Sequence, residues 1–310
     1  MIHLDRAREW LGRVDVRADC ATAASLAALF DLLDLDEPAP KAGDELPPLA
    51  HWLYFRPWGR SSETRENGDF LDPTLPPIEL PHRQCVESRI TFHRPMRVGD
   101  PISRLSRVID VAERPGRVGQ IVTLLLHDEI ADSDGSARSE ERRLIYMSRG
   151  EAWESIEPRL ARGEAHWRRQ FHPHTQALFR YAALTRDSSR IHYDRPFATF
   201  VEGHPGLIVQ WGLVAALLFD LLREHAPGCR VRSCEIRVHR WLYDTEPMTL
   251  SGRASDSCSA ELWAEDPSGR LAVEVLATMD SDFASGHGVG CATTEAASKR
   301  KVAPARPSLL

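Results

Sequence analysis

Two stretches of the chain, Thr91-Phe-His-Arg-Pro-Met-Arg-Val-Gly-Asp-Pro101 and Arg237-Val-His-Arg-Trp-Leu-Tyr-Asp-Thr-Glu-Pro247, align without a gap. His93 falls on His239, Arg94 on Arg240, Pro101 on Pro247 and, further on, Arg107 on Arg253. The surroundings of the two copies match as well. The first lies among strand-like runs at Glu87–His93, Ile102–Val111, Gly119–Ile130 and Arg138–Met147, punctuated by Arg114-Pro-Gly116 and Asp132-Ser-Asp-Gly135. The second lies among Val231–His239, Met248–Ala254, Ser259–Ala264 and Leu271–Met279, with Asp266-Pro-Ser-Gly269 as a hairpin turn. Short apolar-rich runs separated by such turns predict antiparallel meanders. Each meander follows an apolar helix candidate, Ala21–Leu35 in the first half and Pro205–Arg223 in the second. The second candidate is apolar on nearly every face, as an enclosed helix must be. A buried helix followed by an antiparallel sheet, twice, predicts a tandem α+β architecture with sheets wrapped around helices. We divide it at 1–150 and 151–283. From Ala284 to Leu310 the chain is mostly Gly, Ala, Ser, Thr and Pro with no apolar periodicity, which predicts a disordered tail.

The 310 residues suffice for two ordinary domains or one large one. A hydrophobic fraction of 42% and a charged fraction of 27% fit a soluble globular chain. A net charge of -6 with scattered arginines argues against nucleic acid as a partner. No run approaches the roughly 18 apolar residues of a membrane span, and the N-terminus carries no secretion signal, so a cytoplasmic protein is expected. The six cysteines contain no CxxC pair, and free thiols are expected rather than a disulfide scaffold or zinc ribbon. No metal site and no cofactor are indicated. The His172-Pro-His174 run reads as a surface turn.

The chemistry should sit between the two copies. There a short helix over Thr175–Leu184 runs into a polar loop holding Asp187 and His192. That loop leads through Pro196 and Gly203-His-Pro-Gly206 to the enclosed helix, whose first N–H groups have no intrahelical acceptor. Histidine moves protons near neutral pH. An acid buried beside it can share a water, with burial raising its pKa and a charged imidazole lowering it. The N–H groups of Trp211 or Gly212 at the helix start would meet a developing oxyanion. Ser188-Ser189 lies in no nucleophile elbow. His93 reads as structural, because the first half holds no acid–histidine pair at the equivalent place.

The loop, Asp187-Ser-Ser-Arg-Ile-His192, resembles the Asp-x-Asn-x-x-His motif of MaoC-like hydratases, whose fold is the hotdog, a long helix swaddled by a curled antiparallel sheet. Two copies in one chain would make a double hotdog. The fuller strings Phe179-Arg-Tyr-Ala-Ala-Leu-Thr, Arg190-Ile-His-Tyr-Asp-Arg-Pro-Phe-Ala198 and Glu202-Gly-x-Pro-Gly-Leu207 are similar to one branch, as are His51-Trp-Leu-Tyr-Phe55, Phe92-His-Arg-Pro95 and Arg97-Val-Gly-Asp100. That branch holds the mesaconyl-C4-CoA hydratases and the type 2 3-hydroxyacyl-thioester dehydratases. The likeness covers roughly residues 5 to 283. Three positions depart from it. Gln210-Trp211 stands where relatives carry His-Gly, Ser189 stands where the motif has Asn, and Asp187 keeps an acid that this branch often replaces by Asn.

The resemblance implies hydration of, or dehydration to, an α,β-unsaturated acyl thioester carried by CoA or acyl carrier protein. It makes Asp187 and His192 the catalytic pair, with Trp211 and Gly212 on the thioester oxygen. Ser189, Arg190, Gln210 and Arg240 would bind substrate, the arginines holding a substrate carboxylate. The acyl group expected is short and dicarboxylic, of mesaconyl-C4-CoA or itaconyl-CoA type. A degenerate N-terminal hotdog would build the acyl pocket. Two other readings stay open, a hotdog thioesterase and a non-catalytic acyl-thioester-binding subunit. Hotdog sheets pair edge to edge, which a tandem chain can do internally, so monomer and homodimer are both open.

Overall fold

The computed structural model describes residues 4–57, 59–115, 120–148, 159–161 and 163–280. The 150/151 boundary and the tail at 284–310 lie outside the described residues. Ten strands form one antiparallel sheet: β1 (Val14–Cys20), β2 (His82–Phe92), β3 (Pro101–Pro115), β4 (Gln120–Asp132), β5 (Gly135–Met147), β6 (Trp167–Phe171), β7 (Val231–Val238), β8 (Met248–Asp256), β9 (Ser259–Glu265) and β10 (Leu271–Met279). Their order, β1-β3-β4-β5-β2-β7-β10-β9-β8-β6, is two matching five-stranded halves joined at β2 and β7. The junction runs from Glu87↔Arg237 to Thr91↔Ser233, so the edge-to-edge pairing of two hotdogs occurs within one chain.

The repeat has a backbone cause. His93 and Arg94 N–H both donate to Ala137 C=O, and His239 and Arg240 N–H both donate to Ala272 C=O. The two arginines then do the same work. Arg94 Nη1 donates to Asp132 Oδ2 at 2.8 Å, and Arg240 Nη1 lies 3.0 Å from Asp266 Oδ2. Each fastens its half to the aspartate of the following hairpin turn.

Four α-helices accompany the sheet among the described residues: α1 (Leu4–Arg8), α2 (Ala23–Leu32), α3 (Thr175–Leu184) and α4 (Trp211–His225). Ten of the fifteen α4 residues are buried, as its all-round apolarity predicts, and α4 packs against β6, β8, β9 and β10. It starts later than the apolar run does. Residues 207–209 are extended, with Ile208 bridged to Tyr243 and Val209 N–H donating to Leu242 C=O.

The first half differs. Its helix α2 has ten residues, buries only Leu26, Leu29 and Leu32, and packs against α3 and the 3₁₀ turn Ala50–Leu53. The inner face of the first-half sheet is accordingly not all apolar. Ser88, Arg104, Ser106, Asp128, Glu140 and Arg142 form a polar belt there. On one side lies the main core and on the other a smaller cluster around Val122, Leu124 and Leu126.

Candidate active site

The chain places Asp187 by ending α3 in a Schellman motif. Asp187 N–H donates to Ala182 C=O at 2.7 Å and Arg186 N–H to Ala183 C=O at 3.2 Å. Arg186 takes the left-handed conformation this demands, φ 55°, which costs a non-glycine residue about 1–2 kcal/mol. Its guanidinium is held by the Arg56 carbonyl at 2.7 Å. Turned out of the helix in this way, Asp187 accepts the Ser189 N–H at 3.2 Å and meets Arg56 Nη1 at 3.1 Å.

His192 closes the 3₁₀ turn Arg190–His192 and is 9% exposed. Its Nδ1 lies 2.8 Å from the Ile208 carbonyl oxygen, which can only accept, so the ring hydrogen is on Nδ1. The lone pair of neutral His192 is therefore on Nε2, 4.0 Å from Asp187 Oδ2. That separation is too long for a direct hydrogen bond and admits one oxygen atom within reach of both groups.

Burial pushes the Asp187 carboxyl up. The Arg56 guanidinium, His192 and the Ser189 N–H outweigh it and hold the group down at about 2. The expected contest between burial and imidazole is thus decided chiefly by Arg56, which the sequence reading missed. Arg56→Gln removes the largest opposing charge and raises the Asp187 pKa. The titration profile of the Asp187 carboxyl, followed by carboxyl-carbon NMR, should move up by about one pH unit or more. A profile that superimposes on that of the wild type would exclude this role for Arg56.

The α4 N-terminus stands beside the pair. Leu213 and Val214 N–H both donate to Gln210 C=O, leaving those of Trp211 and Gly212 as the unpaired donors of the first turn. A Cβ on Gly212 would lie 2.5 Å from the Tyr181 hydroxyl, so glycine is what lets the buried tyrosine approach the helix start. Burial, reinforced by Asp187, pushes the Tyr181 pKa up and keeps the hydroxyl protonated as a donor. All these groups line one cavity of about 510 Å³ that continues across the polar belt of the first half.

The other expected site residues divide. Ser189 is buried and lines the cavity, but its structural use is the N–H given to Asp187. Gln210 donates through Nε2 to Leu178 C=O at 3.0 Å, leaving Oε1 buried with no partner. The Trp211 ring meets Trp52 edge-on at 4.9 Å.

The two arginines expected to hold a carboxylate are both engaged in ion pairs. Arg190 does not line the cavity. It chelates Asp194 one turn on, at 3.0 and 2.8 Å, reaches the Glu66 carbonyl and lies over the Phe197 ring. Arg240 does line the cavity but is committed to Asp266, as Arg94 is to Asp132. Arg190 is spent in a structural ion pair, whereas Arg240 pairs through Nη1 and keeps its Nε buried with no partner. Arg56 and Tyr181 take their place at the site. The one sequence signal for Arg56 is that it directly follows the His51–Phe55 string.

Comparison with known proteins gives concordant results. The model of the family described as hydroxyacyl-thioester dehydratase type 2 matches residues 49–244. Mesaconyl-C(4)-CoA hydratase of Chloroflexus aurantiacus is 33% identical over 266 residues, covering 85% of this chain and 94% of that protein. Among solved structures, HtdX of Mycobacterium tuberculosis superimposes with a TM-score of 0.61 at 18% identity, over 86% of this chain and 99% of that one. A MaoC-like dehydratase from Phytophthora capsici gives 0.63 at 12% identity, over 90% and 99%.

Proposed function

The chain belongs to the hydroxyacyl-thioester dehydratase type 2 family, and from that premise we propose that Asp187 and His192 add water across, or remove it from, the double bond of a short dicarboxylic enoyl-CoA. It is a hydro-lyase. The observation that carries the finer reading is the 4.0 Å gap between a carboxylate held ionised and an imidazole nitrogen whose tautomer Ile208 fixes as the base.

A water in that gap gives one hydrogen to His192 Nε2 and hydrogen-bonds through the other to Asp187. Its oxygen attacks the β-carbon, and the electron pair of the double bond moves onto the thioester oxygen. There the Trp211 and Gly212 N–H groups meet the developing charge, each such donor typically worth ~3 kcal/mol. The imidazolium returns its proton to the α-carbon, which restores the neutral ring and places H and OH on adjacent carbons. The 151–283 half supplies this machinery, and the 1–150 half, where the central helix is short, supplies the acyl pocket. The relative named for mesaconyl-C(4)-CoA directs the choice of a diacid monothioester.

The test is turnover of mesaconyl-C4-CoA in ¹⁸O-labelled water. The expected product keeps its CoA and carries the label on a β-hydroxyl group. Label in a free acid with CoA released would make the protein a thioesterase instead.

A further inference from the structure

Arg190 does not line the cavity and Arg240 already holds Asp266 through Nη1, which directs the search for a carboxylate-binding group to another part of the wall. The inner face of the first half holds a candidate. In the register of β1 and β3, Arg17 and Arg104 are directly opposed, and both line the cavity. Like charges so placed repel. Arg17 is neutralised. Its Nε donates to Asp15 Oδ2 at 2.7 Å and its Nη2 to Asp72 Oδ1 at 2.8 Å and Thr74 Oγ1 at 3.0 Å.

Arg104 has no such relief. Among the described residues it donates no hydrogen bond and makes no ion pair, and its Nε is buried without a partner. Its guanidinium carbon lies 5.6 Å from the Phe55 ring centroid. The nearby Arg142 is taken by Asp128, with Nε to Oδ2 at 2.6 Å. Burial and the Arg142 and Arg17 charges push the Arg104 pKa down to about 10, against the opposing pull of the Asp128 and Glu140 carboxylates. A half-buried guanidinium that donates no hydrogen bond and makes no direct ion pair of its own is costly to fold. Such a fork of donors matches the geometry of a carboxylate.

We propose that Arg104 binds the distal carboxylate of the acyl group and thereby selects diacid thioesters over neutral ones. This rests on the hydratase reading above. Two consecutive residues tie the clamp to the acid–base pair. The Phe55 carbonyl accepts from Arg17 Nη1 at 3.3 Å and its ring faces Arg104, while Arg56 Nη1 reaches Asp187 at 3.1 Å. The CoA phosphates offer the same anion chemistry, and the test separates them from the carboxylate.

kcat/KM is measured on mesaconyl-C4-CoA and on crotonyl-CoA, which carries the same CoA and no carboxylate, for the wild type, Arg104→Met and Arg104→Lys. Arg104→Met should lose about 100-fold on the diacid, mostly in KM, and change less than about threefold on crotonyl-CoA. Arg104→Lys should recover part of the diacid activity. The melting temperature of Arg104→Met should not fall, because an unpartnered buried charge has been removed. In parallel, titration calorimetry compares succinyl-CoA with butyryl-CoA, and the variant should lose only its preference for succinyl-CoA. Equal losses on both thioesters, as a CoA-phosphate or purely structural role would give, overturn the proposal, as does full diacid activity in the variant. A wild type that hydrates neither substrate fails the hydratase reading, and the calorimetry still decides the role of Arg104.

Discussion

Replacing His192 with alanine should lower kcat by about a thousandfold, within the range that a positioned acid–base group contributes, and leave the fold in place. Among the described residues the side chain makes one hydrogen bond, from Nδ1 to the Ile208 carbonyl. The loop is held by other means, the Ile208 N–H donating to Ile191 C=O and the Schellman turn ahead of Asp187. Loss of the imidazole therefore removes the proton carrier and little of the scaffold. Asp187→Asn is the milder companion. The amide keeps an oxygen for the Ser189 N–H, but it loses the charge that pairs with Arg56 and stabilises the imidazolium. A fall of about a hundredfold is expected. The checks are initial rates on the enoyl thioester and the melting temperature of each variant. Both variants within about threefold of the wild type would remove this pair from the chemistry.

The largest stability effect is expected at Glu140. This carboxylate is 2% exposed and lines the cavity. It accepts from Ser88 Oγ at 2.7 Å and from Trp52 Nε1 at 3.1 Å. His51 Nε2 is a third donor at 3.1 Å, because Arg138 Nη1 occupies its Nδ1 at 2.9 Å. Burial pushes the carboxyl up, but His51, Arg142 and Ser88 prevail and hold it at about 2, against an ordinary 4.5.

Glu140→Ala leaves those donors and the buried arginines beside them uncompensated, at a cost of about 3–5 kcal/mol. For a chain of this size that is a fall in Tm of about 10 °C. The pH dependence has a definite sign. A depressed carboxyl stabilises fully above its unfolded value of 4.5, and that contribution is lost as pH falls toward 2. The gap between the wild type and Glu140→Ala should therefore be widest near neutrality and narrow below pH 4.5. An equal Tm at pH 7 would contradict the account.

Much of the fold was legible because its strands alternate and its turns carry Gly, Pro and Asp. Leu271–Met279 and Thr175–Leu184 run over the residues expected of them. Strands β1 and β6 were not legible, for an instructive reason. In Val14-Asp-Val-Arg-Ala-Asp-Cys20 the valines face solvent while Asp15, Arg17 and Asp19 face inward, the reverse of an ordinary half-buried strand. That inversion is what lines the cavity with charge. β6 reads as polar because Arg169 reaches back to the buried Asp220 of α4.

At the site, Asp187, His192, Trp211 and Gly212 come together as expected, since they lie on one short run of chain and a helix start. Arg56 escaped notice because its partner is far away in sequence and no local pattern marks the pairing. Arg190 misled because its neighbours belong to the motif, while its own side chain turns away to Asp194.

The most direct measurement follows the enoyl-thioester absorbance and free thiol together when the purified protein meets mesaconyl-C4-CoA, itaconyl-CoA or crotonyl-CoA. Loss of the band without thiol, fastest with a diacid and abolished by His192→Ala, is the predicted result. Thiol release, or a band that persists with every thioester, would contradict it.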